Sequence, residues 1–355
     1  MTPPAVKKPL WLVNRVASHE KRVQSTLQHR EYIRSSIRTL YLKGLNPPNE
    51  IPRQLFDYYS IAVDNGEKDR YADIKPYDRT RVDVVDEQGI QRYLNANWCL
   101  EKFGQKYWIA AQAPLPETAH AFLSLIRQPI TLPSTPQSTI NRSPQPTRVR
   151  TVVQLTRLRE GGRRKAHSYF PTDVGQAVVH TEPGYPGEPL RATLVESVDI
   201  DGACCIKSTI SVVAESNPED PVIFHHLLYT AWPDHGVPEP EDQAGLMAFL
   251  RLVDSTNRQT SGDPDPPVIV GCSAGIGRTG TFIAISSLLR YYGFLPPADS
   301  PSVLSISSPL GPLPAAFDAD LVTQEVDSLR EQRPGMVQSN PQLELIYSLL
   351  GAAFA

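Results

Sequence analysis

Hydrophobic and polar positions fall into blocks along the chain, with strand-like runs and helical runs following one another. Runs rich in β-branched and aromatic residues predict strands at 93–100, 107–111, 149–155, 190–198, 204–213, 222–228 and 268–270. Apolar residues at helical spacing predict helices at 117–126, 242–252, 279–291, 321–331 and 342–350. The same spacing at Ile33, Ile37, Leu40 and Tyr41 predicts helical packing near the N-terminus. This order of elements predicts an α/β (α+β) fold, with a twisted mixed sheet flanked by helices.

Two segments interrupt the pattern. Residues 129–147 and 296–314 are rich in Pro, Ser and Thr and show no apolar periodicity. Segments of this composition bury too little apolar surface to fold by themselves, so we expect solvated insertions at both places. The rest of residues 20–355 is predicted to form a single domain, preceded by an N-terminal tail at residues 1–19.

The segment from Val268 to Gly280 carries the most specific chemical signal. It reads Val-Ile-Val-Gly-Cys-Ser-Ala-Gly-Ile-Gly-Arg-Thr-Gly, a short strand that leads into a glycine-containing loop and then an apolar helix. The amides of such a loop and the positive end of the next helix form a cradle for an anion. The same field lowers the pKa of a thiol, so Cys272 should be a thiolate nucleophile, and Arg278 can donate to two phosphate oxygens. The other residues of the cradle would be Ser273, Ala274, Gly275, Ile276 and Gly277.

A second segment, residues 231–238, favours phosphoryl transfer. Its sequence Ala-Trp-Pro-Asp-His-Gly-Val-Pro follows a predicted strand, and its prolines and glycine indicate an exposed loop. A tyrosine phenol has a pKa of about 10, so it needs a proton as it leaves, and Asp234 can supply one. A positioned acid contributes roughly 10²–10⁴-fold to the rate. The alternatives are an ordinary turn aspartate and, for Cys272, a buried cysteine in a glycine-rich turn.

With these two segments the chain resembles the cysteine-dependent, phosphotyrosine-specific protein tyrosine phosphatases, of the non-receptor, intracellular kind. The resemblance spreads over roughly residues 20–350 in several motifs that keep the family's order. The further matching segments are residues 70–82, 93–97, 107–116, 158–171 and 333–342. The resemblance implies the fold of that family and hydrolysis of phosphotyrosine through a cysteinyl-phosphate intermediate, with no cofactor and no metal.

The resemblance also implies roles for residues outside the two central segments. Tyr71 should stack on the substrate ring, and Asp73 should accept a hydrogen bond from the substrate backbone. Glu160 should orient Arg278, and Lys165 should reach toward the loop that carries Asp234. In the second step of the reaction, two glutamines should position water and a threonine should stabilise the leaving sulfur. These residues are Gln338, Gln342 and Thr279.

Three positions depart from the family pattern. Gly271 stands where the family has a histidine that holds the phosphate loop and helps to lower the cysteine pKa. Ala113 replaces a glycine, and His235 replaces a commoner phenylalanine. The missing histidine leaves open a pseudophosphatase, which would bind phosphotyrosine without turning it over. We expect a slower but active enzyme, in which Gly271→His lowers the thiol pKa further if the loop accommodates the imidazole.

The depth of the binding pocket bears on a third alternative. A dual-specificity phosphatase would also accept phosphoserine and phosphothreonine, which are shorter than phosphotyrosine. Tyr71 argues against it, because this ring should deepen the pocket beyond the reach of phosphoserine.

Composition limits the kinds of partner and the cellular compartment that we expect for this chain. The chain has 355 residues, 40% of them hydrophobic, and a net charge of −3, which gives no signal for nucleic acid or for an anionic membrane. Its four cysteines show neither disulfide nor zinc spacing, and a reactive thiolate needs a reducing compartment. The apolar run at residues 10–13 is too short to span a membrane. We therefore expect a cytoplasmic protein, with a nuclear pool also allowed, that acts as a monomer on phosphotyrosine proteins.

A partner is suggested near the N-terminus. Lys7-Lys-Pro-Leu-Trp-Leu12 resembles the docking motif that mitogen-activated protein kinases recognise, and those kinases carry an activating phosphotyrosine. The alternative is that Leu10, Trp11 and Leu12 pack against the domain itself.

Overall fold

The computed structural model describes residues 7–42, 58, 66–86, 89–133, 146–233, 236–259, 263–299 and 306–355. Within these ranges the α-helices are α1 (Leu10–Val13), α2 (Ala17–Leu42), α3 (Ala119–Arg127), α4 (Gln243–Asn257), α5 (Gly277–Tyr291), α6 (Leu321–Gln332) and α7 (Asn340–Ala353). Among these described helices, none is both long enough and apolar enough to cross a bilayer.

The strands of the described ranges form one large sheet and two short hairpins. The large sheet runs β3-β4-β12-β5-β11-β10-β9-β8. Its members are β3 (Ala96–Leu100), β4 (Tyr107–Ala111), β5 (Thr151–Gln154), β8 (Ala177–His180), β9 (Leu190–Ile200), β10 (Cys205–Ala214), β11 (Asn217–Tyr229) and β12 (Val268–Gly271). The hairpins are β1 (Val84–Val85) with β2 (Gln91–Arg92), and β6 (Arg159–Glu160) with β7 (Arg163–Arg164).

The sheet is mixed, as the sequence predicts. Strands β4, β12, β5 and β11 run parallel at its centre, and antiparallel neighbours extend it on both sides. Successive side chains of β12 enter opposite cores, because neighbouring residues of a strand point to opposite faces. Val268 and Val270 pack with Phe282 of α5 on one face, whereas Ile269 packs with Phe122 of α3 on the other. The sheet is thus covered by helices on both faces, and the predicted fold class is confirmed.

The start of the described chain differs from the predicted tail at residues 1–19. Helix α2 begins at Ala17 and crosses the proposed boundary, and Leu12 of α1 is buried in the main core. The Trp11 ring meets the Tyr347 ring edge-on, with centroids 6.5 Å apart, while Leu10 is 76% exposed. Residues 7–19 therefore pack on the domain, and of the two leucines in the docking hypothesis only Leu10 is accessible.

The two predicted insertions behave differently. Residues 134–145 lie outside the described part of the first, whose ends are joined by a bridge between Ile130 and Thr147. Residues 300–305 of the second also lie outside it. The Ser308 hydroxyl donates to Glu331 Oε1 at 2.7 Å and accepts from Arg30 at 2.8 Å. The described residues 306–314 of the second insertion are thus half-buried or exposed, and Ser308 bonds them to α2 and α6.

Candidate active site

The site lies where the central parallel strands end. Strands β4, β12 and β5 end in register, since Gly271 pairs with Ala111 on one side and with Gln154 on the other. The phosphate loop, residues 272–278, starts at the next residue and leads into α5. The first residue of the loop, Cys272, is 6% exposed and lies where these central strands end.

The Arg333 side chain anchors the phosphate loop from the buried side. This guanidinium is fully buried and donates to the carbonyls of Ala274 and Gly275 at 2.9 and 2.7 Å. It also donates to the side-chain oxygens of Asn97 and Asn95 at 2.8 and 2.9 Å. The loop carbonyls are thus tied to the protein interior, which fixes the backbone of the loop. Sequence reasoning gave Arg333 no role, although it opens the motif at residues 333–342.

Two glycines of the phosphate loop lie at close approaches, one to backbone atoms and the other to a side chain. Gly275 has φ +71°, and a Cβ there would lie 2.1 Å from the Ala111 carbonyl oxygen. A Cβ at Gly277 would lie 2.9 Å from the Gln342 side-chain amide. The first glycine lets the loop turn against β4, and the second admits the amide of Gln342 to the loop.

The Cys272 thiol is more acidic than an ordinary cysteine. Burial raises the pKa of Cys272, but opposing effects outweigh it, so the pKa is lowered overall. These are the Thr279 hydroxyl, the charge of Arg278, and the backbone amides of Ile276 and Thr279. Thr279 is fully buried beside the sulfur. The predicted thiolate environment is therefore assembled without a histidine at position 271.

A bidentate ion pair orients Arg278. Its two terminal nitrogens donate to the two carboxylate oxygens of Glu160 at 2.7 and 2.9 Å. Glu160 is fixed in turn by the Thr156 hydroxyl at 2.7 Å and by the Arg157 amide at 3.1 Å. Burial opposes ionisation of Glu160, but the bonds from Arg278 and Thr156 lower its pKa overall. A charged carboxylate thus holds the guanidinium in one orientation.

Arg278 also contacts the acid loop, residues 231–238. It donates to the Pro233 carbonyl at 2.9 Å, and its guanidinium lies 5.8 Å from the centroid of the buried Trp232 ring. The Trp232 indole N–H donates to the Gly236 carbonyl at 3.3 Å. Asp234 and His235 lie outside the described residues, so the acid assigned from sequence stays a prediction.

The predicted recognition loop, residues 70–82, borders the other side of the site. The Tyr71 hydroxyl lies 2.9 Å from the Ser273 hydroxyl, which donates to the Lys165 carbonyl at 2.7 Å. Asp69 fixes the start of this loop, since it accepts from Tyr93 at 2.6 Å and pairs with a lysine. Asp73 is exposed nearby. The structure thus brings Tyr71 to the phosphate loop and leaves Asp73 facing solvent.

The glutamine loop, residues 333–342, meets the phosphate loop through its backbone. Val337 is buried with φ +57°, a conformation that is rare for a β-branched residue, and its amide donates to the Ile276 carbonyl at 3.3 Å. Gln342 Oε1 accepts from the Gln338 amide at 2.9 Å, and the Gln338 side chain is exposed. Gln342 therefore lies against the phosphate loop, whereas Gln338 lies at its rim.

Gly271 leaves a small space beside the nucleophile. A cavity of about 20 Å³ is lined by Gly271, Cys272, Phe122 and Tyr169, among others. The Tyr169 hydroxyl is buried, and in the part of the chain that is described no hydrogen-bond partner faces it. A Cβ at Gly271 would lie 2.7 Å from the Ala111 carbonyl oxygen. The backbone of β4 therefore leaves no room for a Cβ at the position where the resemblance implies a histidine.

The described residues contain no cluster of three or more His, Cys, Asp or Glu side chains that could hold a metal ion. The ionisable groups at the site include Cys272, whose pKa is lowered, and the ion pair of Arg278 with Glu160. A buried acidic thiol, an oriented guanidinium and a fixed loop suit the binding of a phosphate and its transfer to sulfur.

Comparison with known proteins agrees with this geometry. A family model described as protein-tyrosine phosphatase matches residues 65–130 and 145–293. The chain is 32% identical over 273 residues to the human phosphatidylinositol phosphatase PTPRQ, covering 76% of this chain and 10% of that protein. It is 33% identical over 291 residues to human receptor-type tyrosine-protein phosphatase H, and 26% identical over 296 residues to human tyrosine-protein phosphatase non-receptor type 14. Each of these two matches covers 81% of this chain and 21% of the relative.

The chain thus spans between a tenth and about a fifth of the length of these relatives. They carry receptor-type and non-receptor names alike, so the non-receptor part of the resemblance stays a prediction. The family match covers more than half of the chain and contains Cys272, Arg278 and Glu160. This chain belongs to the protein-tyrosine phosphatase family.

Proposed function

We propose that this chain hydrolyses phosphotyrosine in proteins through a cysteinyl-phosphate intermediate. The observation that carries the proposal is the environment of Cys272. Its buried thiol has a lowered pKa at the base of a glycine-containing loop, and Arg278 beside it is oriented by Glu160. A thiolate under a bound phosphate is positioned for in-line attack on phosphorus.

In the first step the Cys272 thiolate attacks phosphorus, and an S–P bond forms as the P–O bond to tyrosine breaks. The loop amides and Arg278 stabilise the phosphate oxygens as charge develops on them. Asp234 gives its proton to the departing phenolate. It directly follows Pro233, whose carbonyl accepts a hydrogen bond from Arg278. We expect the step to need no metal, because the loop amides and Arg278 offset the negative charge that develops on the phosphate.

In the second step a water molecule attacks the phosphorus of the intermediate, and the S–P bond breaks. Gln342 holds this water, with Gln338 alongside, and Asp234 takes the proton that the water loses. The Thr279 hydroxyl stabilises the thiolate as it leaves, which agrees with its effect on the pKa of Cys272. The products are inorganic phosphate and the free enzyme.

Substrate choice is assigned to the rim of the site. The Tyr71 ring stacks on the phosphotyrosine ring, and Asp73 accepts a hydrogen bond from the substrate backbone. The exposure of both side chains supports these roles. Lys165, on the other side of Ser273, reaches toward the acid loop. A phosphatidylinositol phosphate is the competing substrate to test, because one relative is named for it.

Turnover assays test the proposal. The parent protein should hydrolyse p-nitrophenyl phosphate and a phosphotyrosine peptide, and it should leave a phosphothreonine peptide and phosphatidylinositol phosphate vesicles largely intact. Cys272→Ser should bind the peptide without turnover. Asp234→Ala should be roughly 10²–10⁴-fold slower on phosphotyrosine, and less affected with leaving groups that need no proton. Peptide binding without turnover of any substrate would instead establish the pseudophosphatase.

Partners and location follow as further proposals. The need of a reactive thiolate for a reducing compartment supports a cytoplasmic or nuclear protein, which we take to be monomeric. Mitogen-activated protein kinases are proposed substrates that dock through Lys7, Lys8 and the exposed Leu10. Leu10→Ala should weaken kinase binding without unfolding the domain, and unchanged binding would remove this proposal.

A further inference from the structure

The hairpin of β6 and β7 carries an unusual concentration of positive charge. Four arginines fall within the eight residues 157–164, and all four are exposed. The strand register sets Arg159 directly opposite Arg164, and like charges in such a pair destabilise a hairpin. The one carboxylate of the hairpin, Glu160, is engaged by Arg278. The chain as a whole has a net charge of −3, so the cluster is local.

These arginines are not used to stabilise the fold through ion pairs. Across the described ranges, no carboxylate pairs with Arg157, Arg159, Arg163 or Arg164. Arg157 donates to the Thr230 carbonyl at 3.0 Å, a neutral acceptor. The cluster therefore keeps most of its charge available to a ligand.

The hairpin reaches both loops at the mouth of the site. On one side, the Lys165 carbonyl accepts from Ser273, which contacts Tyr71. On the other, Arg157 bonds to Thr230, which immediately precedes the acid loop. A phosphoryl group bound above Cys272 therefore leaves the rest of its substrate beside this hairpin.

The charge of Arg164 acts on Arg70, at the start of the recognition loop, and on His167, whose ring nitrogen lies 3.0 Å from Arg70. Burial and then the charges of Arg70 and Arg164 lower the pKa of His167, and Arg164 also contributes to lowering the pKa of Arg70. Glu117 is the acidic group that opposes both effects. Around His167, two arginines are thus opposed by one exposed carboxylate, Glu117.

We propose that the basic hairpin, residues 157–165, binds an anionic side chain next to the phosphotyrosine of the substrate, with Arg164 as its main contact. The anionic group is a carboxylate or a second phosphate, since a guanidinium fork binds either. The proposal rests on the proposed function, because it defines which phosphotyrosine segments the same site prefers. A protein segment is favoured over a lipid headgroup because Tyr71 lines the mouth with an aromatic ring suited to a tyrosine.

Three phosphotyrosine peptides of equal length test the idea, with alanine, glutamate or phosphothreonine flanking the phosphotyrosine. The parent should have a lower KM for the two anionic peptides than for the neutral one. Arg164→Gln should raise the KM for the anionic peptides by about two- to fivefold, the range of one exposed ion pair, with kcat unchanged. Arg159→Gln with Arg164→Gln should raise it further, and 0.5 M salt should abolish the difference. Comparison of the glutamate and phosphothreonine peptides distinguishes the two anions.

Arg251→Gln, at an exposed arginine of α4, is the matched control and should match the parent on every peptide. Equal KM values for the three peptides in the parent, or equal losses on all of them in Arg164→Gln, would overturn the proposal. Loss of turnover on phosphatidylinositol phosphate vesicles alone would assign the hairpin to a lipid headgroup and also overturn it. Failure of the parent to hydrolyse p-nitrophenyl phosphate would count against the proposed function instead, so the two failures are distinguishable.

Discussion

Substitution of Gly271 is expected to damage the site rather than restore the family's histidine. A Cβ at this position would lie 2.7 Å from the Ala111 carbonyl oxygen. Real Cβ atoms essentially never approach another atom within 3.0 Å, so β4 and β12 would have to separate by at least about 0.3 Å where they are paired, and by about 0.7 Å to reach an ordinary contact at 3.4 Å. Overpacking of this kind costs about 1–3 kcal/mol. With about 2.1 cal/mol/K of unfolding entropy per residue over 355 residues, the accompanying fall in Tm would be roughly 1–4 °C.

Histidine should be worse than alanine at this position. The neighbouring cavity of about 20 Å³ holds about one water molecule, whereas an imidazole ring has five heavy atoms. Because Cys272 is the next residue, a displaced backbone shifts the nucleophile, and a misplacement near 1 Å can cost roughly 10²-fold in rate. The expectation from sequence that Gly271→His would lower the thiol pKa further depended on a loop that accommodates the ring. The close contact with Ala111 removes that condition.

Thermal unfolding and the pH dependence of kcat on p-nitrophenyl phosphate measure both effects. The rate of alkylation of Cys272 by iodoacetate across pH reports its pKa directly. Gly202→Ala is the matched control, because a Cβ there meets no atom within 4 Å. If Gly271→Ala were as stable as Gly202→Ala, the steric argument would be refuted. The steric argument would also be refuted if Gly271→His kept the kcat of the parent while the acid limb of its pH–rate profile moved to lower pH.

Three further predictions follow from buried groups. Arg333→Lys should lower the unfolding free energy by about 3 kcal/mol and reduce kcat, because an ammonium cannot donate to two carbonyls and two amide oxygens together. Urea unfolding measures the first effect and turnover the second. A variant with the stability and kcat of the parent would contradict the anchoring role. Mild peroxide should oxidise the Cys272 thiolate to a sulfenic acid before the other cysteines, because the pKa of Cys272 is lowered whereas burial raises the pKa of Cys99 and of Cys205 to about 12. The sulfenic acid then condenses with the Ser273 amide, so that an S–N bond forms, the S–O bond breaks and water leaves. Peptide mapping that finds Cys204 or Cys205 modified first would count against this prediction. Burial raises the pKa of Glu325 from 4.5 to about 8. The contribution of its protonated form to stability is therefore complete below about pH 4.5 and is lost as pH rises through 8. The free energy of unfolding, measured at pH 5, 6.5 and 8, should decline less with pH in Glu325→Gln than in the parent.

The sequence predicts the central strands well because both of their faces are buried, so that nearly every residue in them is apolar. The strands at 107–111 and 268–270 are continuous apolar runs, and both lie at the centre of the sheet. Strand β8 (Ala177–His180) was missed, since its residues are partly exposed and form no long apolar run. The short hairpins were missed for a similar reason. Their strands have only two residues each, too few to show a period.

Site residues that lie close together in the chain could be predicted from one segment of the sequence. Cys272, Arg278 and Thr279 lie within eight residues of each other, so one segment could indicate all three. Arg333 could not be assigned in this way, because its partners Asn95 and Asn97 are 238 and 236 residues away in the chain. The approach of Gly271 to Ala111 is likewise a property of strand pairing, which one sequence does not reveal.

These long-range contacts explain how the phosphate loop keeps its shape with glycine at position 271. Besides the bonds of Arg333, the Ser273 carbonyl accepts from the Ala113 amide at 3.0 Å, and the Ser273 hydroxyl donates to the Lys165 carbonyl at 2.7 Å. The Gly271 carbonyl accepts from the Leu155 amide at 2.8 Å. Each of these bonds joins the loop region to a different segment, so the loss of one histidine side chain removes only a part of the total restraint. Because the Thr279 hydroxyl and Arg278 act on the sulfur from within the loop and α5, the acidity of Cys272 depends on the shape of the loop more than on residue 271.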